Sequence, residues 1–272
     1  MRLLLAGLLV TAAVLLARNA LAIDACTAAH IVSQESGCSA AGVTCTITKQ
    51  YAVGDGCTLD FSGRNVAMTP TSILTIGSGQ VTLVSNDLTL AATAASGASI
   101  NGRGTGSSAP TNQGGNLLIN ATGDVTIQKS GFTRARIEVS ATDQAGTIQI
   151  NAGGTVTIAG RLEADQEPNA LSASGGMIVI RAGKDIISQA GSQILAGGGS
   201  TSHGGGGTID FAADGKIDLG DIIDVSGSEG GTVTLSAQGD VIVRGIAGSA
   251  DTISGATVDW GGPHSSTVFG LG

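Results

Sequence analysis

GTIQINAGGTVTI, at residues 146–158, sets the reading of the whole chain, because close copies of it recur. They are GNLLINATGDVTI from Gly115, GMIVIRAGKDIIS from Gly176, GTIDFAADGKIDL from Gly207 and GTVTLSAQGDVIV from Gly231. The starts lie 31, 30, 31 and 24 residues apart, and self-similarity at a period of that size marks a repeat architecture. Aligned on the first glycine, the third position is Leu117, Ile148, Ile178, Ile209 and Val233. The fifth is Ile119, Ile150, Ile180, Phe211 and Leu235, and the residues between are mixed and often polar. That alternation predicts a strand with one buried face.

The seventh position is always alanine (Ala121, Ala152, Ala182, Ala213, Ala237), as a tight inward corner requires. The ninth is Gly123, Gly154, Lys184, Gly215 and Gly239, which reads as a bend needing positive φ, with Lys184 the exception. A second strand follows, with Val125, Val156, Ile186, Ile217 and Val241 inward, then Ile127, Ile158, Ser188, Leu219 and Val243. A third, less regular strand lies at 137–139, 162–164, 194–196 and 223–225. One repeat cannot bury three apolar faces alone, but stacked repeats bury them along a common axis. The expected fold is therefore all-β: a single-stranded parallel β-helix, right-handed because the hexapeptide repeat of left-handed forms is absent.

Weaker copies extend the pattern backwards. Val81, Leu83, Leu88, Leu90 and Ile100 make one turn, and Leu59, Phe61, Val66, Met68, Leu74 and Ile76 another. Residues 45–53 begin a first, incomplete one. About seven turns at about 4.8 Å each give a rod on the order of 35 Å long. The expected organisation is a signal peptide at 1–22, a Cys-rich cap at 23–56, the β-helix at 57–256 and a tail at 257–272.

The leader combines Arg2, an apolar run from Leu3 to Ala17 and the cleavage-type triplet Ala20-Leu21-Ala22, so export is expected, with no transmembrane segment in the mature chain. A lipobox-like reading of Ile23 to Cys26 is weakened by Asp24 and by Arg18 and Asn19 before it. Cys26, Cys38, Cys45 and Cys57 are the four cysteines of an exported chain and read as two disulfides. The nested pairing Cys38–Cys45 with Cys26–Cys57 is favoured because Cys45 and Cys57 both open strand-like segments; the other two pairings stay open. Zinc is the weaker reading, since no CxxC occurs and His30 is the only nearby imidazole. Residues 23–36 read as a short helix or irregular cap over the first edge, and Trp260 and Phe269 as cover for the last turn.

Charge and composition exclude some functions. A net charge of -8 argues against phosphate backbones, and 2% aromatics removes the stacking platforms of single-strand binders, so no nucleic-acid partner is expected. No P-loop, GxSxG, HExxH or calcium nonapeptide is present, and no cofactor or metal is expected. His203 and His264 read as loop and tail residues. Threonine pairs such as Thr155/Thr157 and Thr232/Thr234 fall on different strands of their turns, so no ice-binding ladder forms. The Gly- and Ser-rich loops at 102–114, 165–175 and 197–206 read as flexible decoration.

The best candidate for chemistry is the third-strand column. Glu138 and Glu163 stack on adjacent turns, with Arg136 and Arg161 two residues before them on the same outward side. Read sharply, two carboxylates beside two arginines suit acid/base work on an acidic polysaccharide. Read plainly, and preferred here, they are an exposed surface lattice that relieves like-charge stacking.

The units GGTVTLSAQGDVIVRG and AGTIQINAGGTVTIAGRLEA resemble the β-helix repeats of filamentous-haemagglutinin-like bacterial surface proteins, over residues 115–247. That resemblance implies secretion, surface display and adhesion without catalysis, and carries over no functional residue. The chain is short, has the cysteine cluster and lacks NPN-type motifs, so export through a dedicated partner pore is not implied. The expected function is a non-catalytic surface, matrix or adhesive module meeting glycans or cell-surface components; the alternative is a polysaccharide lyase or hydrolase.

Overall fold

The computed structural model describes residues 23–39, 42–104, 112–167, 173–199, 204–220, 222–244, 253–254, 256–261 and 266–269. More than half of them lie in strands, most of them short and paired in parallel into long sheets. The chain lays these strands down in three ladders, visited in rotation.

The first ladder stacks Gln80–Ser85, Asn116–Ala121, Thr147–Ala152, Met177–Ala182, Thr208–Ala213, Gly231–Ala237 and Ala256–Gly261. Its register matches the sequence alignment residue for residue: Ile150 lies between Ile119 and Ile180, and Ile180 beside Phe211. The second ladder runs from Thr44–Ile47 to Ser266–Phe269 through Val125–Ile127, Val156–Ile158, Ile186–Ser188 and Ile217–Leu219. The third contains Ile73–Ile76, Ser99–Asn101, Arg136–Glu138, Arg161–Glu163, Gln193–Leu195 and Ile222–Asp224. One long strand, Gln50–Asp60, joins the first and third ladders into one sheet. Its residues 50–53 pair with Ile73–Ile76, and its residues 58–60 pair with residues 82–84.

The apolar columns meet in one continuous core. Ile148, Ile150, Val156, Ile158 and Leu162 all have no exposed surface. Ser188 occupies an apolar column, and its hydroxyl accepts the Gly220 N–H at 2.8 Å, which satisfies it where it is buried. Parallel pairing runs past both expected boundaries. Thr44–Ile47 pairs with Asn65–Met68 inside the expected cap, and the boundary at 256 falls at the start of a strand paired with Gly231–Ala237. Trp260 and Phe269 are strand residues opposite Leu235 and Arg244.

The ninth-position glycines have a different cause from the one their sequence suggests. Among the described residues the glycines with positive φ are Gly56, Gly63, Gly131, Gly191 and Gly230, none of them in that column. Instead, the next residue of the preceding repeat reaches across. Asp87 Oδ1 accepts the Asp124 N–H at 2.9 Å, Asp124 Oδ1 the Thr155 N–H at 2.7 Å, and Asp185 Oδ1 the Lys216 N–H at 2.8 Å. A Cβ on Gly123, Gly154 or Gly215 would collide with that same carboxylate. Lys184 is tolerated because the preceding repeat offers Thr155 in place of an aspartate.

Two disulfides, Cys26–Cys57 and Cys38–Cys45, tie down the N-terminal end. Ile23–Thr27 pairs with Gln50–Asp60, and a helix, Ala28–Gln34, follows with Thr27 as its N-cap. Behind the helix, Glu35 is buried and accepts hydrogen bonds from the Thr48 and Lys49 N–H groups, the Thr48 hydroxyl and the Tyr51 hydroxyl. Burial alone would raise its pKa, but these bonds together hold it below the usual carboxylate range. Among the described residues, no helix is long and apolar enough to cross a membrane. The leader lies outside the described residues.

Candidate functional site

The third ladder does not end where the sequence pattern fades. Beyond Glu138 the chain stays extended, and the Val139 and Ala141 N–H groups donate to the Glu163 and Asp165 carbonyls. The Ala164 and Gln166 N–H groups repeat this against Leu195 and Gly197, and those of Ala196 and Gly198 against Asp224 and Ser226. The returning arms pair too: Gly114 donates to Gln144, Ala145 to Ser174, Gly175 to Gly205 and Gly206 to Gly230. Outgoing and returning arms are stitched together where Gly146 donates to Val139, Gly176 to Ala164 and Gly207 to Ala196. The described parts of the loops are thus a second stacked layer, not flexible decoration. The glycine that opens each repeat sits at the seam, where a Cβ on Gly146, Gly176, Gly207 or Gly231 would strike backbone of the neighbouring turn.

This layer changes the character of the third-strand charges. Arg136 pairs with Arg161 and Glu138 with Glu163 across adjacent strands, as their spacing implies. Yet Glu138 is 4% exposed and Glu163 5%, so they do not form an exposed surface lattice. The period-two pattern continues into the loop, so Ser140, Asp165 and Glu167 share their side. Arg103 comes in from the preceding loop. It contacts Glu138 at 3.0 Å and grips Glu167 with Nε and Nη2. Arg136 lies 3.5 Å from Glu138 and Arg161 2.6 Å from Glu163, while Ser140 donates to Asp165 at 2.5 Å. Three guanidinium groups therefore hold Glu138, Glu163 and Glu167, and the Ser140 hydroxyl holds the fourth carboxylate, Asp165.

Too few cations for the carboxylates, combined with burial, decides the protonation. Burial is the largest influence on Glu163, the Glu138 and Asp165 charges add to it, and the Arg161 charge only partly offsets it. Its pKa is pushed up to about 8. Burial also raises Asp165. Glu138 Oε2, Glu163 Oε2 and Arg161 Nε are buried there without hydrogen-bond partners. Asp165 and Glu167 were legible only by continuing the strand alternation beyond Glu163, and Arg103 by continuing it beyond Asn101, where the apolar signal stops.

At the corner between the first and second ladders runs a second feature, an open groove of about 930 Å³. The alanine column forms its floor, Asn120, Asn151 and Arg181 stand along one side, and Thr122, Asp214 and Gln238 along the other. Asn151 donates to Asn120 at 2.9 Å, so the glycosylation-type triplet at Asn120 lies within a strand. The aspartates of the 210–224 stretch separate as their spacing implies: Asp210 lies on the first ladder, Asp218 on the second and Asp224 on the third. Among the described residues no group of three or more His, Cys, Asp or Glu side chains is placed to hold a metal ion, and all four cysteines are in disulfides. His203 and His264 lie outside the described residues. No family model, curated protein or solved structure matches the chain.

Proposed function

We propose that the chain is an exported, right-handed parallel β-helix of about seven turns that serves as a non-catalytic surface or matrix module with an adhesive role. One observation carries this reading. The charges best suited to chemistry are buried carboxylates paired with their own arginines at the base of a stacked layer. The leader and the two disulfides support an oxidising, exported destination. Its partners on this reading are glycans or other cell-surface components, and the likeness to filamentous-haemagglutinin-type repeats points the same way.

The enzyme reading is kept for one reason. A carboxyl with a pKa of about 8 has the protonation a general acid needs at neutral pH. The experiment is a glycan-array screen run beside a depolymerisation screen on acidic polysaccharides, with wild type and Glu163→Gln. The isosteric change is chosen because truncating Glu138 and Glu163 would take Arg136 and Arg161 from their carboxylate partners. Binding without turnover is expected. Turnover by wild type that Glu163→Gln abolishes, while the variant melts no lower than wild type, would establish the enzyme instead.

A further inference from the structure

The corner between the second and third ladders carries a protrusion that the stack itself does not need. Residues 128–135 leave the second ladder as a small hairpin, Lys129–Ser130 against Thr133–Arg134, closed by Gly131 at φ 61° and Phe132. Phe132 is 98% exposed, far above the next large apolar side chain among the described residues, Val43 at 68%. It is also one of only 4 phenylalanines in the chain.

The hairpin is braced. The Thr133 hydroxyl donates to the Ala94 carbonyl at 2.8 Å on one side. On the other, the Lys129 ammonium donates to the Ala190 carbonyl at 2.8 Å and Arg134 Nε to the Gly191 carbonyl at 2.6 Å. Gly191 sits at φ 85°, a conformation in which any L side chain would be strained. The acceptors are neutral, and among the described residues neither cation has a carboxylate partner, so the positive charge is not cancelled. A rigidly presented aromatic flanked by uncancelled cations is the form of an interface anchor.

The rest of the molecule is acidic, with a net charge of -8. The alanine-floored groove at the other corner has room for a phenyl ring. Asp214 stands exposed on its edge and Asp124 just beyond it, and among the described residues neither has a cation partner. We infer that the Phe132 hairpin of one copy docks in the alanine groove of a second copy, with Lys129 and Arg134 facing its acidic edge. Knob and groove lie on different corners, so the contact is heterologous and each docked pair leaves one knob and one groove unused. Repeating the contact joins further copies side by side, which is what a matrix module requires. The inference rests on the structural-module reading and gives it a mode of assembly.

Two variants of the full chain test it by analytical ultracentrifugation. Phe132→Ala removes the knob. Ala212→Trp fills the groove from an outward, half-buried position beside Arg181, away from the core. Wild type should associate progressively with concentration, and less at high salt. Each variant should bind itself roughly tenfold or more weakly at an unchanged melting temperature. The equimolar mixture should form a dimer and stop there, because only one intact knob and one intact groove remain. A wild type that stays monomeric at its highest soluble concentration overturns the inference. So does a mixture that fails to pair, or a Phe132→Ala variant whose only defect is lost binding to anionic vesicles or to an acidic glycan. Polysaccharide turnover by the monomeric variants would overturn the module reading separately, whatever the association data show.

Discussion

Glu163 shows how one added layer of chain alters a side chain. Its folded pKa of about 8 lies above its ordinary value of 4.5. A raised carboxyl stabilises the fold fully below the unfolded pKa, and that contribution is lost as pH rises from about 4.5 through about 8. The melting temperature should fall across that window, with a loss on the order of 4 kcal/mol at its alkaline end. Glu163→Gln should flatten the profile and be the more stable protein at pH 9; a wild-type profile level from pH 5 to 9 would contradict the assignment. A second residue-scale prediction concerns the glycine–aspartate pairs. Gly154→Ala puts a methyl group against Asp124 Oδ1 and the Gly123 backbone, at an expected cost of about 2 kcal/mol. Asp124→Ala costs its bond to the Thr155 N–H but removes part of the clash, so the double variant should be less unstable than the sum of the singles. Additive melting shifts would show that the two residues do not meet. The sequence marks Lys184 as an oddity among glycines, but a one-turn alignment reads the column downward. The cause lies across the stack, in the residue of the turn before.

Strands were legible because burial imposes period two on Ile, Val and Leu. Ile150 has no exposed surface while Gln149 is half-buried on the other side of the same strand. Ile150→Asp should destabilise by several kcal/mol, since it buries a charge without a partner, whereas Gln149→Asp should shift stability by about 0.5 kcal/mol or less. Equal thermal shifts for the two would overturn the register. Loops were not legible in the same way. Their stacking uses backbone hydrogen bonds between Gly, Ala and Ser segments, which leave no apolar periodicity to read. The sequence therefore shows Glu138 and Glu163 on an outward side, correctly, and gives no hint that outward there means covered. The cysteine pairs sit between these cases: strand openings at Cys45 and Cys57 favour the nested pairing, and the structure has it.

A molecule built by stacking distributes its stability along one axis, because each turn touches only its neighbours. Its N-terminal end is held differently from its middle. Ile31 packs the cap helix on the core, the disulfides fasten Cys26 and Cys38, and Glu35 joins the helix to Thr48, Lys49 and Tyr51. Reduction removes the two covalent ties but leaves every ladder bond from Gln80–Ser85 onward in place. Acid acts on the same end through Glu35, whose pKa is lowered. Its contribution is present above the ordinary carboxylate pKa of 4.5 and is lost as pH falls through the folded value. Hydrogen exchange on reduced protein should therefore show lost protection confined to about residues 23–60, with Thr147–Ala152 and Met177–Ala182 unchanged. Glu35→Ala with the disulfides intact should give a milder version at neutral pH, costing about 3 kcal/mol locally because Tyr51 and two backbone donors lose their acceptor. Acid should add little to the exchange of that variant while still loosening the wild-type cap. If reduction instead raised exchange evenly along all three ladders, the turns would be unfolding as one cooperative unit, and the cap would be the keystone of the stack rather than its cover.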